Sequence, residues 1–330
     1  MITHQQITEH ILLKSDADYL SPSRVHPLAS FSNDSSQVYV KREDETGFGV
    51  SGCKKRKYAS LIPFLLKAAY KQVVLIGGAH SNHISAVLQL LNEHRMSAHL
   101  FLKQAHQQQL SGNALLRYLL ADPKQIHWLT SDEWKRVVPL AEDFAQQQSL
   151  PTFVIPEGGS CEAAFPGACS LMLDTVRNEE TLGFEFDHIF IDSGTALIAA
   201  ALVGMNSLLQ RNTHIHVILT AGDEAYFHHQ LTRHRQWFYN LFQQDLSVFS
   251  PFSLYPPSTA RSFGSVNRTV LNECLRLARE EGVLVDPIYT AKLFYSARQQ
   301  IYQQKLSGNI LIIHSGGGTG LMGFGERFMS

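Results

Sequence analysis

Four consecutive cations, Lys54, Lys55, Arg56 and Lys57, stand at the end of a loop that holds three glycines, Gly47, Gly49 and Gly52. A short apolar-rich strand, 38–40, leads into the loop, and an amphipathic helix opens on the cations. A solvated basic helix start, or a patch of the nuclear-localisation type, is the plain reading of such a run. Yet cations suit the C-terminal end of a helix dipole, not its first turn. The other reading is covalent chemistry. A lysine crowded by cations and partly desolvated gives up its proton more readily, and its free amine attacks a carbonyl carbon.

Ligands of an open parallel sheet sit beyond the C-terminal ends of its strands, so the turns after the strands come next. After the apolar run 73–76 stands Gly-Gly-Ala-His-Ser-Asn-His at 77–83. Its glycines let backbone approach a ligand closely. Ser81, Asn82 and the free N–H groups of a helix start could grip a carboxylate; an N-cap on Ser81 explains the same residues. After 188–191 stands Asp-Ser-Gly-Thr-Ala at 192–196, a phosphate cradle or, again, a cap. After the last apolar run stands His-Ser-Gly-Gly-Gly-Thr-Gly at 314–320. It lacks the Gly-Lys-Ser/Thr ending of a nucleotide P-loop and the Gly-x-Gly-x-x-Gly order of a dinucleotide site. Pro-Glu-Gly-Gly-Ser at 156–160 is an inter-domain turn or part of a site. Asp-Pro-Ile-Tyr-Thr at 286–290 precedes a helix; Pro287 accounts for the turn, and Tyr289 is either core or an acid/base hydroxyl.

The elements that must position these turns alternate along the chain. Strands are expected at 38–40, 73–76, 98–102, 126–129, 152–155, 188–191, 215–219 and 310–313. Helices are expected near 54–70, 82–93, 113–120, 132–147, 196–210, 224–242, 269–281 and 290–303. Residues 1–36 read as a polar lead-in punctuated by Pro22 and Pro27, and 250–265 as an irregular stretch. The alternation predicts an α/β fold of open, mostly parallel sheets joined by crossover helices.

The 330 residues suffice for two domains or one large α/β domain. An apolar content of 44% suits a globular protein with a large core. A net charge of -1 supplies no field toward nucleic acid or anionic membrane, so neither is an expected partner. No run approaches the ~18 apolar residues of a membrane span, and the start of the chain lacks the basic and apolar regions of a signal peptide. Cys53, Cys161, Cys169 and Cys274 show no Cys-x-x-Cys spacing, as suits a reduced cytoplasmic protein. His228, His229 and His234 cluster without a companion carboxylate and read as a solvated helix face, so no metal site is expected.

Together these stretches resemble one family, the pyridoxal-phosphate-dependent enzymes that comprise D-cysteine desulfhydrase and 1-aminocyclopropane-1-carboxylate deaminase. The resemblance runs from about Pro22 to Phe324. Lys41-Arg42-Glu43-Asp44, Thr46-Gly47-Phe48-Gly49, and Gly52-Cys53-Lys54 followed by Arg56-Lys57 look like the family's lysine motif. Gly77-Gly78, Ser81-Asn82-His83, Gly112-Asn113, the stretches 156–160 and 286–290, and His314-Ser315-Gly316-Gly317 follow in the family's order. One such match is weak evidence; the run in register carries the resemblance.

The resemblance implies a two-domain, tryptophan-synthase-β-like fold, called fold type II. A smaller α/β domain, 55–160, would be inserted in a large cofactor-binding domain, 1–54 and 161–330. It also implies a pyridoxal 5'-phosphate cofactor, a small amino-acid substrate and a homodimer. By position, Lys54 would form the imine with the cofactor aldehyde and, once freed, remove the α-proton. Lys54, Ser81 and Tyr289 would be the catalytic set. Asn82 would hold the ring on its 3-hydroxyl side, and Ser81, Asn82 and His83 would meet the substrate, with Tyr289 lying over it. The loop at 192–196, with Ser193, Gly194, Thr195 and Ala196, would cradle the phosphate. Ser315 would face the pyridine nitrogen, where a neutral hydroxyl does not favour a pyridinium and leaves a milder electron sink suited to elimination.

Cyclopropane deaminases carry a glutamate after the tyrosine; here Thr290 follows Tyr289, as in the desulfhydrases, and Asn82-His83 leans the same way. The expected reaction is therefore β-elimination from a small D-amino acid. D-cysteine would give a 2-oxo acid, ammonia and hydrogen sulfide. The alternatives are ring-opening deamination of 1-aminocyclopropane-1-carboxylate to 2-oxobutyrate, or a non-catalytic cofactor- or ligand-binding homologue. The chain departs from the family at Cys53 (asparagine), His80 (glutamine), Ile84-Ser85 (a small residue and arginine), Phe263 (a second active-site tyrosine) and Ser315 (threonine). Asp192 stands where the phosphate loop is richer in glycine, and its carboxylate repels a phosphate unless it turns away.

Overall fold

A computed structural model of the chain describes residues 2–104 and 110–329. Among these, ten strands build two sheets. The larger has the order β1 (Val25–Pro27), β2 (Ser36–Arg42), β10 (Gly308–His314), β7 (His188–Ser193), β8 (His214–Leu219), β9 (Phe252–Tyr255). Only β1 runs antiparallel. The smaller has the order β5 (Ile126–Leu129), β4 (Ser97–Lys103), β3 (Gln72–Gly78), β6 (Thr152–Ile155), all parallel. Parallel strands need crossovers, and the helices that supply them cover both faces. The central strands are accordingly apolar on both sides: residues 73–76 of β3 and 310–313 of β10 are buried throughout.

Most elements form where the apolar periodicity places them. Strands 126–129 and 152–155 and the helix Glu224–Phe242 have the expected bounds. Four places differ. The expected lead-in contains the helix His4–Leu12, closed by a capping box between Thr3 and Gln6, and strand β1. Ile7 and Ile11, one turn apart, anchor that helix in the core. The stretch 250–265 contains β9, an edge strand. The helix expected at 132–147 is two helices, Ser131–Trp134 and Val137–Gln146. The helix Phe165–Leu182 was not expected. Pro166 and Gly167 look like breakers, but a proline in the first turn starts a helix. A Cβ on Gly167 would collide with the carbonyl oxygen of Arg56, so this glycine lets Phe165–Leu182 press against the helix that carries the four cations.

His234 does not lie on a solvated face. It is fully buried between Phe165 and Trp237, and neither ring nitrogen has a hydrogen-bond partner. Burial holds it neutral, with a pKa pushed down to about 3. Among the described residues no cluster of His, Cys, Asp or Glu is placed to hold a metal. No helix among them is long and apolar enough to cross a membrane.

Candidate active site

The cations open the helix Cys53–Lys67. Its N-cap, Gly52, has φ 70° and ψ -168°, a backbone state that only glycine holds without strain. The requirement is also steric: a Cβ there would run into the Ser315 carbonyl oxygen. Cys53 N donates to that same oxygen at 2.9 Å, so the loop after β10 caps the lysine helix. Two residues past Lys54, Arg56 points the other way, into a buried ionic network. It forms a two-pronged pair with Glu43 (both 2.6 Å) and donates to Asp174 (2.6 Å). Lys41 also donates to Asp174 at 2.6 Å and to Asn178. For Glu43, burial pushes the pKa up, but the charge and hydrogen bonds of Arg56 outweigh it and hold the group below its usual range. The four cations are therefore not one solvated patch: Arg56 and Lys57 are buried, and Lys54 and Lys55 are half-buried.

Lys54 is surrounded by groups that feel its charge: Lys57, His83 and Asp192. Lys57 lies one turn on and donates to Gly158 O at 3.2 Å. Burial, then the charge of Lys54, lowers its pKa to about 8. His83 is buried, and its pKa is pushed down to about 3 by burial and then by Lys57 and Lys54. Its Nδ1 is 2.6 Å from the Tyr58 hydroxyl, while its Nε2 has no partner in the protein. Among the described residues the other acceptor in reach of the Tyr58 hydroxyl is His83 O at 3.3 Å. With the Tyr58 proton on Nδ1, Nε2 is an N–H donor that meets no acceptor among the described residues.

The loop after β7 closes the other side. Ala196 caps the helix Leu197–Leu208 at φ 63°, and no side chain bonds to the first-turn amides. Free N–H groups at the positive end of a helix suit a phosphate. Thr195 packs against Gly158, where a Cβ would come within 2.6 Å of its side chain, and Thr195 O accepts from Ser160 Oγ at 3.4 Å. Ser193 is buried, and its carbonyl accepts from Thr220 Oγ1 at 2.9 Å and from Ala221 N at 3.1 Å. Asp192 stands beside Ser315; its Oδ1 is buried with no hydrogen-bond partner among the described residues, and burial raises its pKa. Tyr289 lies beside Gly194, 3.4 Å from where a Cβ would be. Phe263 meets the Tyr289 ring edge-on, centroids 5.9 Å apart. Thr290 turns away from that ring: its hydroxyl donates to Asp286 Oδ2 at 2.8 Å and is fully buried.

Ser81 is the N-cap of the helix Asn82–Glu93, and its Oγ accepts from His83 N at 3.1 Å. Asn82 Oδ1 accepts from Asn113 Nδ2 at 2.6 Å. Asn113 is the hub of this corner: it also donates to His80 O (3.2 Å) and accepts from Thr319 Oγ1 (2.7 Å) and Ser85 Oγ (3.2 Å). The sequence drew attention to Gly112-Asn113 without giving Asn113 a task. It gave none to Lys57 or Tyr58 either, since nothing in the run of cations distinguishes a buried lysine from an exposed one.

Lys54, Ser81, Asn82, His83, Ser193, Gly194, Thr195, Ala196, Tyr289 and Ser315 thus come from loops that touch one another at the strand ends. An anion fits this cluster on three counts: the uncapped amides of Leu197–Leu208, the unpartnered Nε2 of His83, and the buried cation Lys57. An amine-reactive aldehyde next to Lys54, with its phosphate on that helix, uses the same donors.

Comparison with known proteins agrees. The chain is 25% identical over 301 residues to a putative 1-aminocyclopropane-1-carboxylate deaminase of Pyrococcus furiosus, covering 89% of each. It is 26% identical over 298 residues to D-cysteine desulfhydrase of Serratia proteamaculans, covering 87% of this chain and 88% of the relative. A solved homologue of ACC deaminase superposes over 99% of both chains with a TM-score of 0.84 at 22% identity. The family profile described as "Pyridoxal-phosphate dependent enzyme" matches residues 18–316, nearly the whole chain, and the protein belongs to that family of pyridoxal-phosphate-dependent enzymes.

Proposed function

We propose that the chain is a lyase that eliminates the β-substituent of a small D-amino acid, D-cysteine foremost, to give a 2-oxo acid, ammonia and sulfide. What supports this reading is the setting of Lys54: a half-buried amine at a glycine-capped helix start, ringed by His83, Lys57 and Asp192. When bound, pyridoxal phosphate supplies the electron sink for the pair left behind by the departing α-proton. Lys54 is the base that takes that proton. His83 Nε2–H and the Ser81 hydroxyl, whose oxygen is engaged but whose proton is free, hold the substrate carboxylate. Lys57, Thr195 and the amides of Leu197–Leu208 hold the phosphate. Asn82, fixed by Asn113, and Tyr289, fixed over Gly194, set the plane in which the reacting bonds lie. Ser315 presents a hydroxyl rather than a charge to the ring.

Position 290 favours the desulfhydrase reading. Where the resemblance puts a glutamate in cyclopropane deaminases, this chain has a threonine tied to Asp286. The similarity to proteins named as cyclopropane deaminases favours the second reading, ring opening to 2-oxobutyrate. A smaller unit at 55–160 within a larger one at 1–54 and 161–330 belongs to the proposal, and every strand of the four-stranded sheet falls inside the smaller span. So do a homodimer and a reducing cytoplasmic setting, the latter in keeping with four free cysteines. Purified protein should be given D-cysteine and 1-aminocyclopropane-1-carboxylate separately, with pyruvate, sulfide and 2-oxobutyrate assayed. Oxobutyrate from the cyclic substrate with no sulfide from D-cysteine overturns the first reading. Borohydride reduction followed by peptide mass spectrometry should place the cofactor adduct on Lys54.

A further inference from the structure

Arg117 is a buried cation without an anion. It is 4% exposed, and its Nε and Nη1 have no hydrogen-bond partner among the described residues. Burial is the one influence on its pKa, and no carboxylate offsets it. The residues outside the described range, 1, 105–109 and 330, include no acidic side chain. An arginine cannot escape by losing its proton. A buried charge with no counter-charge is strongly destabilising, and proteins otherwise pair it. Its one protein contact of note is Trp128, whose ring centre lies 5.0 Å from the guanidinium carbon. That stacking orients the guanidinium plane and leaves its N–H edge to be satisfied by something else.

The position is adjacent to the active-site loop. Arg117 follows Asn113 by four residues on the helix Gly112–Leu120, so the two share a face. Helical side chains lean toward the N-terminal turn, which brings the guanidinium back toward Asn113. Asn113 bonds to His80 O and to Asn82. The charge of Arg117 also reaches the His80 ring, whose pKa is lowered by partial burial and then by that charge.

We propose that Arg117 is the cation of an oxyanion-binding subsite beside the 77–83 loop, filled by the side-chain carboxylate of an acidic amino acid or by a free inorganic anion. The amino-acid source rests on the lyase reading above; the subsite itself does not. The test uses the cofactor-loaded protein and its Arg117→Met variant. Binding of D-aspartate and of D-alanine is followed by the cofactor absorption band, and the melting temperature is measured with and without inorganic phosphate. With the acidic source, the parent binds D-aspartate roughly tenfold tighter than D-alanine, as a charge-assisted bond implies, and the variant binds both equally. With a free anion, phosphate raises the melting temperature of the parent and not of the variant. In either case the variant without anion melts no lower than the parent, because an unpaired charge has been removed. A variant that melts several degrees lower, or that responds to every probe as the parent does, overturns the subsite. Failure of both amino acids to perturb the band, with the phosphate response intact, supports the subsite and overturns the amino-acid reading.

Discussion

Asparagine at position 174 tests how the lysine helix is held. Asp174 Oδ2 accepts from Lys41 Nζ (2.6 Å), Arg56 Nη2 (2.6 Å) and Ser23 N (3.1 Å). Lys41, Glu43, Arg56 and Asp174 are each at most 3% exposed, and their two positive and two negative charges balance. Asp174→Asn leaves one buried positive charge uncompensated. Breaking such a pair costs about 3–5 kcal/mol. Burial already lowers the pKa of Lys41, so the variant sheds part of that penalty by deprotonating it, which points to the lower end, about 3 kcal/mol. An unfolding entropy of about 2.1 cal/mol/K per residue over 330 residues gives roughly 0.7 kcal/mol/K. The expected fall in melting temperature is then about 4 °C by scanning calorimetry. Combining Lys41→Met with Asp174→Leu removes one charge of each sign, leaves the Arg56–Glu43 pair, and should recover most of the loss. A single variant within about 1 °C of the parent, or a double variant worse than the single, would refute this account of the network.

The same carboxylates make stability acid-sensitive. In both Glu43 and Asp174 burial raises the pKa, and their cationic partners outweigh it and lower it. Their contribution is therefore complete above the unfolded value near about 4 and is lost as pH falls through the depressed folded values; circular dichroism against pH should show this, with a smaller loss in Asp174→Asn. Lys57 loses its proton near about 8 when no anion is bound. Phosphate affinity of the cofactor-free protein should thus decline as pH rises through that value, and titration calorimetry should find the decline absent in Lys57→Ala. Tyr58→Phe removes the hydroxyl beside His83 Nδ1; with that hydroxyl as donor, a roughly tenfold rise in KM with a smaller change in kcat is expected, and an unchanged KM would overturn the Nε2–H tautomer. Gly52→Ala forces a Cβ into the Ser315 carbonyl at a glycine-only backbone angle; a loss of at least ~3 kcal/mol, read as a lower melting temperature and weaker cofactor retention, is expected.

Alternation of apolar runs with helical stretches was enough to read a mostly parallel α/β architecture, because buried parallel strands are apolar on both faces and stand out. Ser81 as a cap and the bounds of Asn82–Glu93 followed from residue types alone. The helix Phe165–Leu182 was illegible because it is packed on most of its circumference, which erases a 3.6-residue period. Helix His4–Leu12 offered only Ile7 and Ile11 as a stripe, and β9 hid among prolines and serines. In the candidate site, glycine-rich turns pointed to loops that the fold brings together. The tasks of Lys57, Tyr58, Asn113 and Arg117 depend on which neighbours the fold supplies, and no local pattern encodes a buried arginine that lacks its anion. Asp192 looked like a repulsive intruder in a phosphate loop; in the structure burial raises its pKa, which weakens that repulsion.

The last of the described strands in chain order, β10, does not join the rim of its sheet. It slots into the middle, between β2, made some 270 residues earlier, and β7. The turn that follows it supplies the carbonyl that seats Cys53 and hence orients Lys54. For most of synthesis the larger sheet is therefore still open and the start of the lysine helix unseated. One closing step, the filling of that gap, thus completes the larger sheet and sets the start of the helix Cys53–Lys67.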